Sequence, residues 1–181
     1  MTSELFVKQL KLLTPSVESF SRLGYPPDLV EKNIKSYICL PADSGQNIIY
    51  ANSELLKLVS FYNCSSVQVG LINFRSAVEE IENYYLIGNF DADLLAVSKI
   101  TLEVVVLDYT NLDWIIWHCA SNGARFLDAI LAAAECISRC VNDTSLAYDN
   151  SYTLSYVLKC SQLAGGDKYK EFYKTLLGYD E

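Results

Sequence analysis

The sequence predicts an α+β fold in which an antiparallel β-sheet meander is backed by helices, with extra helices at the C-terminus. Three observations predict it. Four β-rich runs lie between residues 84 and 117, joined by connections too short for parallel crossovers. A long amphipathic stretch follows, with Phe126, Leu127, Ile130, Leu131, Ala134 and Ile137 on one side, which is the stripe a sheet-covering helix needs. A chain of 181 residues that is 51% hydrophobic and 20% charged can build a core without staples. The expected organisation is one α+β domain over residues 1–141, with a helical extension over 142–181 packed on the same domain.

In order along the chain, Leu5, Phe6, Leu10, Leu13, Val17 and Phe20 predict a helix over 3–22, with Pro15 starting a new turn or kinking it. The run Gly24-Tyr25-Pro26-Pro27-Asp28 breaks it, and Pro27 opens a second helix. Tyr37 to Leu40 reads as a short strand, Pro41 to Gly45 as a turn and Ile48-Ile49-Tyr50 as another short strand. Asn52 or Ser53 caps a helix bearing Leu55, Leu56, Val59 and Phe61. Residues 63–70 read as loop or edge structure, and 74–83, with Glu79, Glu80 and Glu82, as a helix.

The β-rich runs are Tyr84 to Gly88, Leu94 to Val97, Leu102 to Leu107 and Trp114 to Trp117. They are more continuously apolar than strict alternation, so cover on part of the second face is expected. Two shorter helices, about 151–163 and 167–177, are split by Gly165-Gly166.

Charge narrows the partners. The chain carries 22 acidic against 14 basic residues, a formal net charge of −8. Nucleic acid is disfavoured, because binding it requires neutralising phosphates with Lys and Arg, and anionic membrane surfaces are disfavoured for the same reason. A cationic protein would be drawn in. The 13 tyrosines suit half-exposed sheets and interfaces, where a ring is buried and a hydroxyl stays wet, and suit a tyrosine-rich core margin equally. Glu4 and Lys8 interrupt the region where a secretory signal would run apolar, and no run approaches the roughly 20 apolar residues of a membrane helix. A cytoplasmic protein with reduced thiols is expected from this and from six scattered cysteines.

No catalytic motif stands out. His118 is the one histidine and sits beside Cys119, but neighbours in a strand point to opposite faces, so a solvated histidine at a strand end is the expectation. Cys136 and Cys140 share a helical face without the second short-spaced pair of a zinc site, so they read as apolar fillers. Asp91, Asp93, Glu103, Asp108 and Asp113 cluster in or beside the hairpin turns, where aspartate bonds the local backbone; they lack the ligand run of a calcium loop. Neither cofactor nor metal is expected.

The stretch Tyr84-Tyr85-Leu86-Ile87-Gly88-Asn89-Phe90-Asp91-Ala92-Asp93-Leu94-Leu95-Ala96-Val97 resembles the tyrosine–isoleucine–glycine, acidic turn, leucine–leucine–alanine segment of the SUKH superfamily, the SMI1/KNR4-like proteins. Glu103 to Asp108, the run from Ser121 through Phe126-Leu127 to Ile130-Leu131, and Ile48-Ile49-Tyr50 before Ser53-Glu54-Leu55-Leu56 are similar to further elements of that family. The match covers about residues 25–135. Where the family often has glycine in the turn before its valine-rich strand, this chain has Ile100-Thr101-Leu102, and the family's asparagine–glycine after its first helices has no counterpart.

The resemblance implies an antiparallel sheet backed by helices. It also implies a non-enzymatic immunity protein that neutralises a bacterial toxin by direct binding, or else a regulatory scaffold. A cognate toxin that is basic, such as a nuclease, fits the charge. The residues expected to meet it are Asp91, Asp93, Glu103, Asp113, Tyr84 and Tyr109 on the sheet surface and its turns. The rival from another class is a small hydrolase using His118 with a cysteine or carboxylate.

Overall fold

The computed structural model describes residues 1–42 and 53–180. The strand expected at Ile48-Ile49-Tyr50 and the turn from Asp43 to Gly45 lie outside the described residues.

The N-terminal helical stretch divides at Pro15 into α1 (Ser3–Leu12) and α2 (Val17–Arg22). Each half has its own start: the Thr2 side chain accepts from Leu5 N and the Ser16 side chain from Ser19 N. Pro27 stands in the first turn of α3 (Pro27–Lys35), where its missing N–H costs nothing. The strand expected over Tyr37 to Leu40 is shorter and later: β1 (Leu40–Pro41) pairs antiparallel with β2 (Tyr62–Asn63), and Tyr37 is a buried core residue outside it. Between them, Ser53 caps α4 (Glu54–Phe61), whose side facing the core buries Leu55, Leu58 and Val59.

Residues 74–83 are not helical. They belong to the hairpin of β4 (Ile72–Glu80) with β5 (Tyr84–Phe90), and β3 (Gln68–Val69) pairs on the far side of β4. Ile72 and Phe74 are buried while Asn73 is exposed, the two-residue period of a strand. Glu79 and Glu80 suit a helix by propensity, yet they pair with Leu86 and Tyr85. The ladder offered by β5 outweighs a local preference of tenths of a kcal/mol per residue.

Beyond β5 the meander continues as predicted through β6 (Asp93–Ser98), β7 (Val104–Leu107) and β8 (Ile115–Ala120). The strand order β3-β4-β5-β6-β7-β8 follows the chain, and every pairing is antiparallel. Register shifts interrupt β4–β5, β5–β6 and β7–β8, and bulges of this kind bend a sheet and sharpen its twist. Gly88 makes one of them possible: a Cβ there would stand 2.3 Å from the Asn73 carbonyl oxygen, so any other residue would push β4 away.

One face of the sheet, with Phe74, Ile87, Leu95, Val97, Val104, Val106 and Cys119, packs on α4 and on α5 (Gly123–Asn142). Asn122 caps α5 by accepting from Arg125 N at 3.0 Å. The first turn of α5 sits so close to α4 that a Cβ on Gly123 would be 2.5 Å from Ser53 Oγ. The opposite face carries its own small cluster of Leu86, Ala96, Val105 and Leu107. The side chains over it, Ile81, Tyr84, Leu94 and Ile115, come from the sheet and the β4–β5 turn, which is why the strands are apolar on both sides.

The C-terminal residues enter the main core. α6 (Asn150–Ala164) lies along α5, and α7 (Lys170–Leu177) follows the break at Gly165-Gly166 and touches β8. Val157, Cys160, Phe172 and Tyr173 are buried in the same cluster as the sheet. Tyr173 donates its hydroxyl to the Cys119 carbonyl at 3.0 Å, and Ser121 N donates to the Ala164 carbonyl at 2.9 Å.

Candidate functional site

Two neighbouring connections at one end of the sheet gather most of the acidic residues singled out above. The β5–β6 turn closes on the pair Phe90 and Asp93 and carries Asp91 at its tip with φ 53°. Aspartate is among the few side chains that tolerate this left-handed conformation. The Asp91 N–H donates to the Leu71 carbonyl at 2.9 Å and anchors the tip to the β3–β4 turn.

The β7–β8 connection, residues 108–114, is held by its own side chains. One oxygen of Asp108 accepts from Thr110 N at 2.7 Å, Thr110 Oγ1 at 2.6 Å and Asn111 N at 3.2 Å. Asn111 Oδ1 accepts from Asp113 N at 3.2 Å, and main-chain bonds between Asp108 and Trp114 and between Trp114 and Asn111 close the loop. The Thr110 hydroxyl and then the Thr110 N–H hold the Asp108 carboxyl below the usual aspartate range, so it keeps its charge. A bond of 3.4 Å from Tyr109 N to Asp93 Oδ1 joins this loop to the β5–β6 turn.

The result is a surface with carboxylates from Asp91, Asp93, Asp108 and Asp113 around three apolar side chains. Tyr109 is 64% exposed, Trp114 63% and Leu112 39%. Exposure of that order on a tryptophan and a tyrosine braced by a rigid loop is what a protein-binding hot spot requires. The strands and turns that carry it, β5 to β8, are poor in positive charge. Between Arg75 and Arg125 the sequence has eight acidic residues and a single lysine, Lys99, which sits in the β6–β7 turn at the other end of the sheet and pairs with Glu80 at 2.7 Å.

The structure therefore brings together Asp91, Asp93, Asp113 and Tyr109, and separates them from Tyr84 and Glu103. Tyr84 pairs with Ser98, and Ser98 N bonds the Glu103 carbonyl at 2.9 Å, which puts both residues at the opposite end of the strands. Six-residue strands make that separation roughly 17 Å.

Glu103 faces its own chain. Its Oε1 accepts from Lys168 Nζ at 2.6 Å and Tyr169 OH at 3.1 Å, and His118 Nδ1 lies 3.2 Å away. The imidazole approaches off the line of a hydrogen bond, so this is a charge contact that exists when His118 is protonated. Burial raises the Glu103 carboxyl, and Lys168, His118 and Tyr169 together outweigh it, leaving the group below the usual glutamate range.

His118 is not at a strand end. It lies within β8, opposite Val105 and on the face away from the main core, with its side chain 39% exposed. Cys119 is fully buried on the other face, and burial pushes its thiol well above the ordinary value. On opposite faces of the strand, that thiol and the imidazole cannot meet. Among the described residues no cluster of three His, Cys, Asp or Glu side chains is placed to hold a metal ion. No helix among them is long and apolar enough to cross a membrane. Two apolar surface grooves lie elsewhere, one lined by Met1, Leu12, Leu131 and Leu163 and one by Val17, Tyr25, Val30 and Ile34.

Sequence reasoning missed Trp114 and Leu112 as surface residues. Trp114 reads as the first residue of an apolar strand, whereas it closes the preceding loop. The signal was present in Asp108-x-Thr110 and Asn111-x-Asp113, two side-chain-to-backbone turns in succession that make the loop rigid and leave its apolar members outside.

No protein-family model, no curated protein and no solved structure matches this chain.

Proposed function

We propose that this chain is a protein-binding module of the immunity type, which neutralises a cognate basic toxin by docking on it through the acidic, aromatic end of its sheet. The observation that carries the reading is the union of Tyr109, Leu112 and Trp114 with four carboxylates on two mutually bonded turns. Exposed aromatic anchors on a stiff base supply affinity at low entropic cost, and the surrounding negative field accelerates encounter with a cation. The resemblance to SMI1/KNR4-like proteins supports the same class. A cytoplasmic site of action belongs to this proposal, since a toxin of this kind is met inside the protected cell.

An interface of standard size hides about 800 Å² on each partner, so the contact would spread from the two turns over neighbouring sheet residues. The test is affinity capture from the native cell with the parent chain and with Trp114→Ala and Asp91→Asn/Asp93→Asn/Asp113→Asn variants. A toxin retained by the parent, lost with Trp114→Ala and bound more slowly by the triple variant is the expected result. A partner held equally by all three would refute this surface, and a partner that is a host signalling enzyme would favour the regulatory-scaffold reading.

The hydrolase alternative draws on the contact between His118 and Glu103. Glu103 is engaged by Lys168 and Tyr169, which leaves it a poor base. His118→Ala is expected to leave protection of the cell unchanged, and loss of protection in a folded variant would revive that alternative.

A further inference from the structure

We propose that Cys39 and Cys64 are the site of a reversible disulfide that pins the exit of α3 to the exit of α4. This inference is independent of the binding surface, since it arises from the small β1–β2 ladder at the other side of α4. The register there matches Leu40 with Asn63 and Pro41 with Tyr62. One step outward it sets Cys39 opposite Cys64.

The class of that position follows from the hydrogen bonds. Ala42 N donates to the Phe61 carbonyl at 2.9 Å, so positions 42 and 40 are the hydrogen-bonded pairs, and 41 and 39 the non-hydrogen-bonded ones. Opposed residues of the latter kind have Cα atoms about 4.5 Å apart and side chains at their closest, inside the window of about 4.4–6.8 Å that a disulfide spans. Both residues are buried in the main core, Cys39 at 8% exposure and Cys64 at 0%, so the two sulfurs share one apolar space. In keeping with that proximity, the Cys64 thiol is pushed up first by its neighbour Cys39 and then by burial.

Cys136 and Cys140 are the contrasting pair. They are four apart on α5, where Cβ atoms stand about 5–6 Å from one another, beyond the roughly 3.8 Å that a disulfide needs. Proximity in the helix is therefore not bridging geometry, whereas proximity across the ladder is.

The oxidant is a low-molecular-weight disulfide such as glutathione disulfide. A two-residue ladder is marginal by itself and opens locally, which admits it. Cys39, as thiolate, attacks one sulfur of the oxidant; the oxidant's S–S bond breaks and one glutathione leaves, taking the proton that Cys39 lost. Cys64 then attacks the Cys39 sulfur of the mixed disulfide, and the second glutathione leaves with the Cys64 proton. One S–S bond breaks and one forms, and two electrons pass from the protein thiols to the oxidant.

The test uses the full purified chain, incubated with glutathione disulfide, then denatured, alkylated and mapped by peptide mass spectrometry without reduction. The expected result is one linked pair of peptides containing Cys39 and Cys64, and loss of two of the six alkylatable thiols. A higher thermal midpoint that dithiothreitol reverses, and that Cys64→Ala removes, should accompany it. The proposal is overturned if Cys39 and Cys64 both stay alkylatable after the partly exposed Cys140 has been oxidised. A mixed disulfide that persists on Cys39 without closing on Cys64 would overturn it equally.

Discussion

Leu102 has φ 60°, a left-handed backbone that costs a side-chain-bearing residue roughly 1–2 kcal/mol. It stands in the β6–β7 turn, and glycine, with no Cβ, would take this conformation without strain. Leu102→Gly is expected to raise unfolding stability by up to about 1 kcal/mol, the relief of strain less the added freedom of the unfolded chain, and Leu102→Val to lower it by about 1–2 kcal/mol. Urea titration of the three proteins checks both. One position on, Glu103 ties this turn to Lys168 and Tyr169. Glu103→Gln keeps an acceptor but loses the charge, and is expected to cost about 1–2 kcal/mol at pH 7. Because the folded carboxyl lies below its ordinary value of 4.5, this contribution is complete above that value and disappears as pH falls through the lower, folded one. Urea titrations from pH 7 downward should show parent and variant separated at neutral pH and converging as the pH falls below about 4. None of this was legible locally, since Lys168 is 65 positions from Glu103 in the chain.

Among elements, those whose pattern is set by their own neighbours were readable. The meander declared itself through short connections, and α5 through an apolar stripe that begins right after an asparagine cap. The strand β4 was hidden because its pairing partner decides it: three glutamates in residues 79–82 suggest a helix until β5 supplies a ladder for them. The candidate binding surface was half legible for a related reason. Asp91, Asp93, Asp113 and Tyr109 belong to turn sequences, which advertise exposure, whereas Trp114 belongs to an apolar run, which advertises burial. Only the register of β6, β7 and β8 sets the two connections side by side and turns separate acidic loops into one surface.

At the scale of the molecule, the helices after Asn142 are part of the cooperative unit. Phe172 is 1% exposed and packs at a tilt against Phe90 of β5 with ring centroids 5.1 Å apart. Phe172→Ala is expected to destabilise the whole chain by about 3–5 kcal/mol. Unfolding followed by fluorescence of Trp114 and Trp117 in the sheet region should still coincide with unfolding followed by helical circular dichroism. Two separate transitions would mean that the C-terminal helices fold by themselves. The bonds that Tyr173 and Ala164 make to Cys119 and Ser121 carry a last consequence. They fall at the end of β8, one of the two edge strands of the six, whose backbone rim would otherwise be a template for strands of other molecules. The last forty residues thus act as a guard rail: a variant in which α6 and α7 come away from β8 would bare that rim to its neighbours and polymerise by sheet extension.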